Sequence, residues 1–82
     1  MPLSMSELHE VLTEIVRALV KHPNQVVIKV ETLPRIMFVI SVADEDLDMV
    51  IGKQGRTAHS LRMFTLAAGH QMGSTVSLTI TN

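Results

Sequence analysis

The sequence predicts an α+β domain in which three helices cover one face of a three-stranded mixed sheet. Two long stretches, residues 4–21 and 56–72, carry apolar side chains at helical spacing. Three shorter ones, residues 25–32, 36–42 and 76–81, alternate or are rich in β-branched residues, as strands are. Between the second and third strands a short helical pattern stops at Gly52 and a longer one starts after Gly55. At 82 residues the chain is read as a single domain over 1–82, small enough that almost every apolar face has to be used.

The first helix opens on Ser4-x-x-Glu7, a capping-box pattern in which each residue satisfies the other's amide. Leu8, Val11, Leu12, Ile15, Val16 and Leu19 then form one apolar stripe. Glu7, Glu10 and Glu14 precede Arg17 and Lys21 on the other side, the order that the helix dipole favours, and Pro23 helps to end the helix. In the first strand Val26, Ile28 and Val30 alternate with Val27, Lys29 and Glu31, so one face is buried. Leu33-Pro34-Arg35 breaks the chain before the central strand. There Ile36, Phe38, Ile40 and Val42 face the core, leaving Met37 and Val39 beside Val27 on the open face, as the central strand of a small protein allows. Asp44, Glu45 and Asp46 supply negative charge where a short helix begins, and Leu47, Val50 and Ile51 are its inward side. The last helix turns Ala58, Leu61, Phe64, Thr65 and Ala68 inward, and Gly73 is placed to cap it. Val76, Leu78 and Ile80 face the core from the final strand. A short link makes the first two strands antiparallel, and the crossover through two helices returns the last strand parallel to the second.

The formal net charge of −1 argues against a generic polyanion binder, but the sum conceals a division. All eight acids lie at or before Asp48; beyond it the ionised side chains are Lys53, Arg56 and Arg62, joined by His59 and His70. The half containing the glycine turn therefore carries a positive local potential. With no cysteine, no apolar run of membrane-spanning length and no leader-like N-terminus, a cytoplasmic protein without a membrane anchor is expected. The four histidines have no ligand spacing, and Glu7, His9, Glu10 and Glu14 sit on a helix built for solvent. No metal, cofactor or acid–base catalytic pair is expected.

The chemistry concentrates at Val50-Ile51-Gly52-Lys53-Gln54-Gly55-Arg56. Both glycines permit positive φ and close backbone approach. The amides of Gly55, Arg56 and Thr57 fall at a helix start, where unpaired donors attract phosphate. Lys53 adds charge, Gln54 a hydrogen-bonding side chain, and Arg56 a fork that matches a pair of phosphate oxygens. A Walker A loop is excluded, because its first glycine would fall at Leu47 and no Ser or Thr follows Lys53. Alone, a Gly-x-x-Gly is a helix corner; with these neighbours and no acid downstream it points to nucleic-acid contact. His59, Met63, Leu66 and His70 share a flank of the last helix away from its core stripe. That flank is either ordinary surface or a docking site for another protein. The chain has neither Trp nor Tyr, so bases would be held by aliphatic contact and hydrogen bonds rather than by stacking on rings.

The element order resembles that of a type II KH domain, α-β-β-α-(GxxG)-α-β, and VIGKQGRTA at 50–58 is similar to the signature of the small bacterial single-KH-domain proteins of the KhpA family. His22-Pro23 after the first helix, and Val42-Ala43 followed by acids, also resemble the family. The resemblance implies a non-enzymatic, single-stranded RNA-binding protein, an RNA chaperone or post-transcriptional regulator. Its GxxG loop would clamp the backbone of about four nucleotides while an adjacent apolar groove holds their bases. Carried onto this chain, the clamp is Gly52, Lys53, Gln54 and Gly55, with Arg56 at the helix entry and Val50 and Ile51 on the near wall of the groove. His59 and Arg62 follow as RNA-facing residues of the same helix. The implied partners are RNA, a second copy in a homodimer, and the larger KH protein KhpB, with Met63, Leu66 and His70 as the docking face.

Family members tend to carry Gly and Lys just before the Val-Ile-Gly and several lysines along the last helix. Here Asp48 and Met49 occupy the first place, and residues 64–75 are uncharged apart from His70. Fewer cations release fewer counterions, so weaker RNA binding with a shallower salt dependence is expected. The alternative is a protein-interaction module, a homodimer or KhpB-docking subunit with weak intrinsic affinity for RNA.

Overall fold

In the computed structural model, which describes residues 3–82, the first helix starts at the capping box. The Ser4 amide donates to the Glu7 carboxylate at 2.9 Å, and the Glu7 amide donates to Ser4 Oγ at 3.1 Å. The bond from the Ser4 amide, followed by that to its hydroxyl, holds the Glu7 carboxyl below the usual carboxylate range. A depressed carboxyl stabilises the fold above its unfolded-state value, so this contribution is present at neutral pH and is lost as pH falls through the folded value.

The elements follow in the expected order: α1 (Met5–Leu19), β1 (Val27–Glu31), β2 (Ile36–Ser41), α2 (Leu47–Ile51), α3 (Arg56–Gln71) and β3 (Val76–Thr81). One-turn 3-10 segments at Pro23–Gln25, Asp44–Asp46 and Lys53–Gly55 lead into β1, α2 and α3. The sheet order is β1-β2-β3. β1 runs antiparallel to β2, pairing Val27 with Ser41 and Glu31 with Met37, while β3 runs parallel to β2, pairing Ile36 with Val76 and Ser41 with Thr81. This is the mixed sheet that the short link and the long crossover predict.

The core joins Leu8, Leu12 and Val16 of α1 to Ile28, Phe38, Ile40, Val76 and Leu78 of the sheet, with Val50 and Leu61 from the other helices. Fully burying one Leu, Ile or Phe contributes about 1.5–3 kcal/mol, so this cluster is the main source of stability. Its edges are narrower than the apolar patterns. Phe64, expected inside, is 38% exposed. The buried arc of α3 is Ala58, Leu61, Thr65 and Gly69, mostly small residues that let the helix lie close to the sheet. A Cβ on Gly69 would come within 2.8 Å of Val76 Cγ2, and with the arc centred there Phe64 falls outside it. Val30, at the tapering end of β1, and Ile15 and Leu19 of α1 are also exposed although their spacing matches the core face.

Two polar contacts tie the outer flanks of the helices to the sheet edges. His9, read from spacing as a solvent residue, is half-buried; its Nε2–H donates to the Ile28 carbonyl of β1 at 2.6 Å, and its ring lies 6.4 Å from that of Phe38. Arg62 Nε donates to the Leu78 carbonyl of β3 at 3.3 Å. Both contacts occupy carbonyls on edge strands, which otherwise template pairing with another chain. The open face of the sheet carries Val27, Met37 and Val39, as the alternation predicts, with Val27 exposed and the other two half-buried.

Candidate nucleic-acid interface

The turn between α2 and α3 is built from backbone conformations that few residues adopt. Gly52 lies at φ 80° and ψ 172°, Gln54 at φ 57° and ψ 25°, and Gly55 at φ 75° and ψ 15°. The two glycines serve different needs. A Cβ at Gly52 would stand 2.8 Å from the Thr57 amide nitrogen and 2.7 Å from Thr57 Cβ, whereas one at Gly55 would meet nothing within 4 Å. Gly52 is required for space and for φ, Gly55 for φ alone. Gln54 holds a left-handed conformation without being glycine, at a cost of about 1–2 kcal/mol that the two flanking helices sustain.

The backbone amides of the turn are less available than a helix start suggests. The Gly55 amide donates to the Gly52 carbonyl at 3.1 Å, and the Arg56 amide donates to the Lys53 carbonyl, so two of the three expected free donors close the 3-10 turn. Anion attraction therefore rests on side chains. Lys53, Gln54 and Arg56 are all exposed, and Arg56 Nη2 donates to Gln54 Oε1 at 3.1 Å, which holds the guanidinium beside the tip of the loop.

The remaining residues separate into three environments. Val50 has no exposed surface and belongs to the core, so its side chain seats α2 instead of lining a surface groove. Ile51 is half-buried at the mouth of the turn. His59 lies on exposed α3 surface one turn beyond Arg56, and Arg62 is exposed with its Nε on β3. Met63, Leu66 and His70 are exposed further along the same helix, Met63 by 50% and Leu66 by 36%. The loop cations, His59 and Arg62 thus lie near one end of α3 and the exposed apolar residues follow toward the other.

Reading Asp44, Glu45 and Asp46 as a charge cluster overlooks the residue that positions the turn. Asp46, expected to act as one of three acids at a helix start, is completely buried. Its two oxygens accept from the Lys21 amide at 3.2 Å and the His22 amide at 2.9 Å, just beyond the end of α1. One carboxylate thus joins the end of α1 to the start of α2, the helix that carries the glycine turn. Beside it His22 Nε2 lies 3.5 Å from the Glu45 carboxylate, and Asn82 donates to Asp44 at 2.8 Å. A signal was present: Asp46 stands four residues before Val50, a helical spacing that puts it on the inward face of α2.

Two helices joined by a tight glycine turn and packed with a third on a mixed sheet of this order define a KH domain. The chain belongs to the KhpA/KhpB KH-domain family, whose model matches residues 9–80. It is 42% identical over 74 residues to the RNA-binding protein KhpA of Bacillus subtilis (strain 168), covering 89% of this chain and 91% of that protein. It is 39% identical over 74 residues to the RNA-binding protein KhpA of Listeria monocytogenes (strain EGD-e), covering 89% of this chain and 97% of the relative. The RNA-binding protein KhpA of Thermotoga maritima matches at 39% identity over 72 residues, covering 87% of this chain and 92% of that protein. Among the described residues no helix is long and apolar enough to cross a membrane, and no group of His, Cys, Asp and Glu is arranged to hold a metal ion.

Proposed function

We propose that this chain is a cytoplasmic single-stranded RNA-binding protein of the type II KH class, an RNA chaperone or post-transcriptional regulator that catalyses no reaction. It grips the RNA backbone at Gly52, Lys53, Gln54 and Gly55. The observation that carries this reading is the tip of the turn: positive φ angles at Gly52, Gln54 and Gly55 hold an exposed Lys53-Gln54 pair between two helices, with the Arg56 guanidinium fixed alongside. Phosphate oxygens meet an ammonium, an amide and a forked guanidinium there, and the names of the relatives supply the class of ligand. Ile51 forms the near wall for the bases, and His59 and Arg62 extend the contact along α3.

Titrating a labelled single-stranded RNA oligomer at several salt concentrations tests the electrostatic part of this reading. The loop and α3 offer Lys53, Arg56 and Arg62, so the plot of log K against log salt has an expected slope of about −2, at roughly −0.7 per neutralised phosphate. A slope more than about twice as steep would mean that other cations carry the binding.

The exposed flank of α3 serves a different partner. Met63 and Leu66, with His70 beyond them, place apolar surface on a helix among polar neighbours, and we assign this flank to docking of the larger KH protein KhpB. Replacing Met63 with Asp puts a carboxylate in that contact, and KhpB affinity measured by calorimetry is expected to fall about tenfold or more while RNA binding is retained. Unchanged KhpB affinity would remove the flank from the assembly.

A further inference from the structure

We infer that Arg62 is the residue through which this chain reads a base, its two terminal amino groups forking onto the O6 and N7 acceptors of a guanine held beside β3. This assignment rests on the RNA reading above and deepens it: the glycine turn grips the backbone without regard to sequence, and Arg62 supplies the preference. Gly55, His59 and Arg62 fall at i, i+4 and i+7, so Arg62 continues the flank of α3 that leads away from the turn, about 10 Å along the helix from Gly55. There it stands beyond the clamp, within reach of the bases of a strand whose backbone the turn holds.

Arg62 is exposed, but its head group is anchored. Its Nε donates to the Leu78 carbonyl at 3.3 Å. β3 is an edge strand, and Thr81 turns its carbonyl toward β2, where it accepts from the Val42 amide at 3.2 Å. Successive residues of a strand direct their backbone groups to opposite sides, so Val76, Leu78 and Ile80 present theirs at the open edge. The bond from Arg62 fixes the guanidinium at that edge and uses Nε–H, which leaves the paired Nη1 and Nη2 amino groups as its outward fork. Among the described residues the single ion pair is His22 with Glu45, so no carboxylate holds this fork within the chain.

The identity of the base follows from these donors. A fork of two N–H groups needs two adjacent acceptors, which guanine offers at O6 and N7 and cytosine at N3 and O2. Adenine sets an amino donor beside N7, and uracil sets N3–H beside O4. Cytosine also carries an amino group next to its acceptor pair, and the Leu78 carbonyl that could receive it is already engaged by Arg62. The O6 and N7 edge of guanine carries acceptors only, so it matches a strand edge where a donor fork covers the carbonyl.

Fluorescence anisotropy of the full chain with labelled short oligouridines carrying one central guanine, adenine or cytosine tests the assignment. The wild type is expected to bind the guanine oligomer about tenfold more tightly than the adenine or cytosine oligomer. Inosine, which keeps O6 and N7, is expected to match guanine, and 7-deazaguanine, which lacks N7, to lose the advantage. Arg62→Lys keeps the charge but not the fork, so in a variant shown to be folded by circular dichroism the ratio of guanine to adenine affinity is expected to fall to about one. The ratio is the decisive readout, because the loss of a phosphate contact weakens all the oligomers alike and leaves the ratio in place. A wild type that binds every oligomer equally would overturn this assignment and leave the clamp standing, whereas one that binds none would overturn both. A preference for cytosine, 7-deazaguanine bound as tightly as guanine, or a guanine preference that survives Arg62→Lys would each take the reading of the base away from this fork.

Discussion

Gly52→Ala is expected to destabilise the domain by about 2–5 kcal/mol, while Gly55→Ala costs about 1 kcal/mol. The two positions look alike in sequence and differ in what surrounds them. At Gly52 a methyl group would meet both the side chain and the backbone nitrogen of Thr57, the latter at 2.8 Å, in a conformation of φ 80° and ψ 172° that L-residues avoid. At Gly55 the space is open and only the left-handed φ opposes a side chain. Trimming Thr57 to Ala does not rescue Gly52→Ala, because the backbone contact remains. Urea unfolding of both variants measures the difference, and equal losses would contradict this division of roles. A domain of this size has roughly 4–12 kcal/mol of stability in all, so Gly52→Ala removes a large share of it.

The second large effect lies away from the turn. Asp46→Ala removes the acceptor of two backbone amides and is expected to cost about 2–4 kcal/mol, since hydrogen bonds to a charged group contribute more than neutral ones. Asp46→Asn retains one carbonyl oxygen but turns an amide donor toward a second donor, so an intermediate loss is expected. Because α2 starts just after this residue and stops just before Gly52, the loosened junction also reaches the site. Hydrogen exchange of the Lys21 and His22 amides should accelerate in both variants. Protection unchanged from wild type would show that the carboxylate does not hold the end of α1.

Much of this architecture is legible in the sequence, for definite reasons. Ser4 and Glu7 announce α1 because their bonds are local, and the alternation of residues 76–81 announces β3 because period-two burial has few competing explanations. The KH signature at residues 50–58 marks the turn through glycines whose backbone needs are also local. What periodicity could not supply is the width of each buried face. Phe64 satisfies helical spacing yet lies outside, because the small residues Ala58 and Gly69 determine how closely α3 approaches the sheet. Asp46 reads as one of three acids at a helix start and His9 as part of a helix built for solvent; each is drawn inward by backbone groups remote in sequence, the Lys21 and His22 amides for one and the Ile28 carbonyl for the other. At the site, Val50 belongs to the core and the Gly55 and Arg56 amides close the turn, so the loop presents side chains where the sequence suggested backbone donors.

The central claim is that RNA is held at the tip of the glycine turn. The most direct test is fluorescence anisotropy of labelled single-stranded RNA oligomers with the wild type and with Lys53→Asp/Gln54→Asp, at low and physiological salt. The substitutions leave both glycines in place and set two carboxylates where phosphate would lie, so the variant should remain folded by circular dichroism and lose at least about tenfold in affinity. Equal RNA binding by the folded variant and the wild type, or no binding by the wild type at either salt, would contradict the claim.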